Sequence, residues 1–217
     1  MSLDTRVMNR TSIVRRAAIA RLSRVVRMCV CAVVVVGLSA CFSGPPPARF
    51  LLEPAFVPSA ATNEAQLSYI GLITVSVPDY VKETSIAYRG EGPRLRVDEN
   101  GQWAEAPEGA LTRILAESLR MRSGAEVLIE PLPRGFEPDV RVEVDFSTLL
   151  AEASGGADMA GQVRLISGDG RSLMSVQSFR MLQRAPGGGR EGFFYAVSIG
   201  VDELSRMIVD SLTETPG

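Results

Sequence analysis

Few residues in this chain could perform chemistry. There is no histidine, which removes the commonest general base and metal ligand. Three cysteines stand at positions 29, 31 and 41, and the single lysine is Lys82. A hydrolase would have to use Ser or Thr, Tyr, carboxylates or Lys82. In "DVRVEVDF", Asp139, Glu143 and Asp145 fall on one face of a strand, which invites a metal or acid–base reading. Arg141 lies on the same face, and such alternation more commonly marks a solvated outer surface. No zinc spacing, phosphate loop or G-x-S-x-G elbow occurs, and "PGGGR", Pro186 to Arg190, lacks the lysine and spacing of a phosphate loop. We therefore read no catalytic residue, no cofactor and no metal, and a protein that is not an enzyme. Cys41 remains, as core residue, nucleophile, half of a disulfide or attachment point.

Its surroundings decide among these. The first 27 residues carry seven arginines and one acid, Asp4, and "MCVCAVVVVGLSA", Met28 to Ala40, has no charge in thirteen residues. A spanning helix needs about 20 apolar residues, so this run is too short to cross a bilayer. A basic segment, a short apolar segment and a small-residue cleavage site make a secretory signal peptide. The closing "LSAC", Leu38, Ser39, Ala40 and Cys41, resembles the lipobox of bacterial lipoproteins. That resemblance implies cleavage between Ala40 and Cys41 and acylation of Cys41, first on the thiol and then on the new amino terminus. Several acyl chains anchor a protein stably where one anchors it only reversibly. Phe42 stands where an aspartate often retains such proteins at the inner membrane, so the resemblance favours the outer membrane.

Cleavage before Cys41 would leave 177 residues, enough for one domain with a sizeable core. Of 23 Lys+Arg, seven fall in the removed segment, and of 25 Asp+Glu, one does; the remainder carries 16 cations and 24 anions, a net charge of −8. An acidic chain is a poor match for phosphate backbones, so no nucleic acid is expected. Cys29 and Cys31 leave with the signal, so no disulfide is available and stability must come from burial.

The elements follow from periodicity. We expect a signal over 1–40, a lipidated tether over 41–48 with three prolines, and a domain over 49–214. "RFLLEP" (49–54) is a short strand candidate and 55–66 a loop. "LSYIGLITVSVPDY" (67–80) reads as a buried strand and "TSIAYRG" (84–90) as another. "PRLRVDENGQWAE" reads as its partner, with Leu95 and Val97 alternating with charge and "DENG" (98–101) as the turn. Leu111, Ile114, Leu115 and Leu119 predict a helix opened by Pro107 and stopped by Gly124. Residues 126–133 and 139–150 read as strands, and 159–183 as a hairpin around Gly168-Asp169-Gly170. Val197, Val201, Leu204, Ile208 and Leu212 make one stripe of a second helix. The expected fold is α+β, a single two-layer domain of mostly antiparallel sheet with two helices on one face.

The stretch from Arg49 to Leu119 resembles the ABC-type transport auxiliary lipoproteins, the PqiC-like family. Leu51 or Leu52 with Pro54 fits its opening motif. Val75, Val77, Pro78, Tyr80 and Arg89 fit a V-x-V-P-x-Y-L segment and the following strand end; Trp103, Ala104 and Glu105 fit a W-A-E-P-L segment. Phe50 replaces the common tyrosine, "VKET" stands where an arginine is usual, and the last proline is one place later. The order of elements extends the likeness to Leu212. The resemblance implies a non-catalytic adaptor on the periplasmic face of the outer membrane. Its partner would be the MCE-domain protein of a lipid or hydrophobic-solute ABC transport system, with room for a homo-oligomer.

Single residues keep two readings each. Trp103 anchors a partner surface or, with Glu105, sets the approach to the helix. Pro78 and Tyr80 shape a binding turn or close a strand over the core. Arg89 pairs a buried carboxylate or a partner's acid, or is an exposed strand-end charge. Two rival functions stay open: a lipid-carrying module, which predicts an apolar cavity, and a Ser/Lys or carboxylate hydrolase, which predicts a cleft with a strongly perturbed carboxylate or Lys82.

Overall fold

The strand predicted from the alternation after Asp139 organises the whole sheet. In the computed structural model, which describes residues 46–55 and 67–214, it is β6, Val140–Ala151. Val140, Val142, Val144 and Phe146 are buried, whereas Arg141, Glu143 and Asp145 are only half-buried, as a strand with one covered face requires. Ala40, Cys41 and the segment 56–66 lie outside the described residues.

Seven further strands join it: β1 (Ala48–Phe50), β2 (Tyr69–Leu72), β3 (Ser85–Arg89), β4 (Leu95–Trp103), β5 (Glu126–Ile129), β7 (Ala157–Ser167) and β8 (Leu173–Gln183). One edge of β6 pairs antiparallel with β7 from Val140↔Ser167 to Ala151↔Ala157, and β8 continues outward as the predicted hairpin partner. The other edge serves two partners in succession. β2 runs parallel beside Val140 to Val142, a bridge joins Ser76 to Asp145, and β3 meets β6 at Tyr88↔Ala151. β5 lies outside β2, and β4 then β1 lie outside β3, so the sheet forks at β6. The two long pairings and β3–β4 are antiparallel, whereas β1–β4, β2–β5, β2–β6 and β3–β6 are parallel.

Three helices among the described residues complete the α+β domain: α1 (Asp79–Lys82), α2 (Pro107–Ser123) and α3 (Gly189–Glu214). α2 begins with proline at its first turn and ends where Gly124, at φ 71°, donates its N–H to the Arg120 carbonyl at 3.1 Å. A left-handed residue closing a helix is the position glycine takes at least cost. Leu111, Ile114, Leu115 and Leu119 are fully buried, each contributing about 1.5–3 kcal/mol. Of the α3 stripe, Val197, Val201, Leu204 and Ile208 are buried and Leu212 partly so. α2 and α3 pack together, with α3 against β7 and β8.

Two expectations need correction. The strand expected over 67–80 is hydrogen-bonded as a ladder only at Tyr69–Leu72; the chain then tracks the β6 edge irregularly and turns into α1 after Pro78. "DENG" is not a turn. β4 runs through it as a bulge against β3, between Ala87↔Val97 and Ser85↔Gln102, in which the Asp98 carboxylate accepts from the Asn100 N–H and from Arg190 of α3 while β1 pairs from Gly101 onward. The turn lies earlier, where Gly90 N–H reaches the Arg94 carbonyl at 2.8 Å, and Leu95 and Val97 are exposed.

Candidate partner-docking edge

β8 is an edge strand of 11 residues with no strand on its outer side among the described residues. Ladder alternation says which groups are left open. The Phe146 N–H points to Ser76 and the Leu149 N–H to Tyr80, both away from β7. Carrying that alternation through β7 turns the backbone groups of Gln177, Phe179 and Met181 toward β7. The N–H and C=O of Val176, Ser178, Arg180 and Leu182 therefore face outward. The side chains are equally open: Leu173 is 59%, Val176 48% and Leu182 57% exposed.

Natural sheets usually guard an edge with short strands, charge or proline. β1 has three residues and β5 four, with Pro131 close behind it. β8 has one formal charge, Arg180, and "LMSVQSF" (173–179) contains no charge, glycine or proline. Such a segment pairs readily with another chain.

Beside this edge runs a groove of about 430 Å³ between β8 and α3. Phe179, Met181 and Met207 give it apolar walls, and Glu203, Arg206 and Asp210 a charged rim. Arg206 pairs with both Glu203 and Asp210 along the helix. Gln183 donates to Glu203, which ties the strand end to the helix. Phe179 meets Phe146 edge-on at 5.3 Å, over Gly161. A Cβ at Gly161 would stand 2.1 Å from the Asp145 carbonyl oxygen, so the chain there admits only glycine.

The residues singled out from the sequence take mainly internal roles. Trp103 is 2% exposed and stands edge-on to Phe193 and Phe194 of α3, with centroids at 5.9 and 4.7 Å, while Phe50 stacks on Phe194. That burial removes it as a surface anchor. Pro78 precedes α1 and its carbonyl accepts the Val81 N–H. Tyr80 fills the fork: its hydroxyl accepts the Leu149 N–H at 3.1 Å, between the stretch of β6 paired to residues 70–76 and the point where β3 joins. Glu105 accepts from Arg113, which also holds the Leu52 carbonyl. Arg89 alone connects to the docking edge. It reaches buried Asp158 of β7 at 2.7 Å, and Arg180 of β8 approaches the same oxygen at 3.6 Å.

The family described as ABC-type transport auxiliary lipoprotein component matches residues 50–209. The chain belongs to that family. A DUF330-family protein from Xanthomonas campestris has the same fold, with a TM-score of 0.62 at 12% identity over 76% of this chain and 95% of that one. An uncharacterized protein of known crystal structure also gives 0.62, at 15% identity over 76% and 98%. No curated protein matches the sequence. Membership makes the chain an auxiliary component of ABC-type transport, in a family of lipoproteins.

Within this auxiliary-component fold, the polar groups support structure. Lys82 lies 2.8 Å from Asp79, whose hydrogen bond and charge raise the amine's pKa, the opposite of what a lysine nucleophile needs. Asp139 accepts the N–H groups of Ser68 and Tyr69, and Glu143 pairs with Arg164. Two of the three strand-face carboxylates, Asp139 and Glu143, are thus engaged separately. Sequence reasoning missed Val176, Ser178, Arg180 and Leu182. The available signal was apolar residues at both parities of 173–182, which a strand covered on one face does not need.

Proposed function

We propose that this chain is a lipid-anchored, non-catalytic adaptor of an ABC transport system. It holds the MCE-domain component of a lipid or hydrophobic-solute transporter at the periplasmic face of the outer membrane. Residues 1–40 are the signal, Cys41 carries the acyl chains, residues 41–48 are the tether and 49–214 the domain. The observation that carries the reading is the unguarded β8 edge, where a partner's extended strand would be added and its alternate side chains would enter the α3 groove. Family membership supports the transport context, and "LSAC" at the end of a basic-then-apolar segment supports the anchor.

The test is affinity purification after mild in-cell cross-linking, with a C-terminal tag and mass spectrometry of bound proteins. Wild type should enrich an MCE-domain protein. Cys41→Ser, which cannot be acylated on the thiol, should lose it, as should Val176→Lys/Leu182→Lys. Recovery of the protein with phospholipid but no transport component would overturn the adaptor reading and bring the carrier forward.

A further inference from the structure

We infer that the β3–β4 hairpin lies on the bilayer surface, with Arg94 and Arg96 against anionic phospholipid headgroups and Leu95 between them; the inference rests on Cys41 being the lipid attachment point. The first observation is composition. "RGEGPRLR", Arg89 to Arg96, holds three arginines and one glutamate in a chain whose remainder after cleavage is acidic. Arg89 is drawn back to Asp158, but Arg94 and Arg96 are exposed and make no ion pair among the described residues. Leu95 and Val97, 47% and 58% exposed, alternate with them. Along β4 successive side chains face opposite sides, so the arginines lie on one side of the hairpin and Leu95 and Val97 on the other. A hairpin that meets the bilayer by its turn would set Arg94 and Arg96 among headgroups on one side and Leu95 toward the acyl boundary on the other.

The second observation is chain direction. β1 runs parallel to β4, with Ala48 beside Gly101 and Phe50 beside Trp103. The chain therefore arrives at Ala48 from the side on which Leu95 and the hairpin turn lie. From Leu95 to Gly101 the strand advances about 20 Å. The seven residue steps from Cys41 to Ala48 reach at most about 25 Å. The length of chain between Cys41 and Ala48 therefore allows acyl chains on Cys41 and the arginines of the hairpin to share one bilayer. Each arginine held near an anionic surface raises partition about fivefold. Beside a covalent anchor that suffices to set orientation, and it leaves the β8 edge to the partner.

The experiment uses the full lipidated protein on vesicles of phosphatidylethanolamine and phosphatidylglycerol, roughly three parts to one, as the anionic surface. With Cys41 acylated, no other thiol remains after cleavage, so Leu95→Cys can be labelled alone with a polarity-sensitive dye. Arg171→Cys, at the β7–β8 turn where the side chain is 85% exposed, is the reference position. The expected result is a blue shift and quencher protection at position 95 but not at 171. Arg94→Gln/Arg96→Gln should abolish most of the shift while the protein still floats with the vesicles, and so should replacing phosphatidylglycerol by phosphatidylcholine. Flotation with equal, water-like spectra at both positions would overturn the hairpin contact and leave the anchor standing. Failure to float would instead overturn the anchor, and the hairpin inference with it. A shift that needs an added acidic protein rather than vesicles would also overturn the proposal.

Discussion

The end of the domain where β1, β4 and the start of α3 meet differs sharply from the β8 side. At the first, Trp103 packs on Phe193 and Phe194 and Glu105 holds Arg113, and at the fork of the sheet Tyr80 holds the Leu149 N–H, so these residues of the family likeness have internal partners. At the second, four residues of β8 turn backbone groups and side chains to the outside. Motif residues in this chain build the scaffold, whereas the surface suited to a partner is made of ordinary Val, Ser and Leu. The comparison predicts that damage at the first region acts through stability and damage at the second through binding.

Trp103→Ala should be the most damaging change. Removing a buried Trp costs about 3–5 kcal/mol, and a domain of this size loses about 2–4 °C per kcal/mol. A melting temperature lower by roughly 10 °C is expected by calorimetry; a shift of only a degree or two would mean Trp103 is not core. The Arg122–Asp202 pair comes next. Its Nη2···Oδ2 and Nε···Oδ1 distances are 2.6 and 3.2 Å, both side chains are nearly buried, and it joins α2 to α3. Asp202→Leu alone strands a buried guanidinium and should cost about 3–5 kcal/mol in urea unfolding, while adding Arg122→Met should recover most of it.

Tyr80→Phe should cost about 1–2 kcal/mol, since it leaves the Leu149 N–H unpaired at the fork. An unchanged urea midpoint would show that water replaces the hydroxyl. The smallest effect is on pH dependence. The hydrogen bond from Arg190 holds the Asp98 carboxyl below the usual carboxylate range. A depressed native pKa contributes stability above the unfolded value near 4, and that contribution is lost as pH falls through the native value. Asp98→Asn should therefore lower stability at neutral pH and make the acid limb of the stability–pH curve shallower than that of wild type, the difference between the two shrinking as pH falls below about 4.

Much of this scaffold was legible in the sequence. Pro107, the leucine spacing and Gly124 bounded α2, and alternation with Gly168-Asp169-Gly170 gave β6 and the last hairpin. Those are local signals, set within a few residues. The strand over 67–80 was overextended because an apolar chain that hugs the edge of β6 without pairing regularly looks the same as one in a ladder. "DENG" carries turn composition, and its place inside β4 comes with contacts distant in sequence, from β1 to Gly101 and from Arg190, 92 positions from Asp98. Arg89–Asp158 and Arg122–Asp202 are likewise fixed by topology, at separations of 69 and 80 residues. The openness of β8 left one trace, the apolar residues at both parities of 173–182, because the number of neighbours a strand has is not itself written in its pattern.

The central claim is that β8 accepts a strand, and its most direct test is hydrogen exchange at single amides, free and in complex with the transport partner. In the free protein Gln177, Phe179 and Met181 should exchange slowly, held by β7, and Val176, Ser178, Arg180 and Leu182 quickly. On complex formation the second set should become protected, giving continuous protection along the strand. A complex that forms while those four amides keep exchanging quickly would contradict the account.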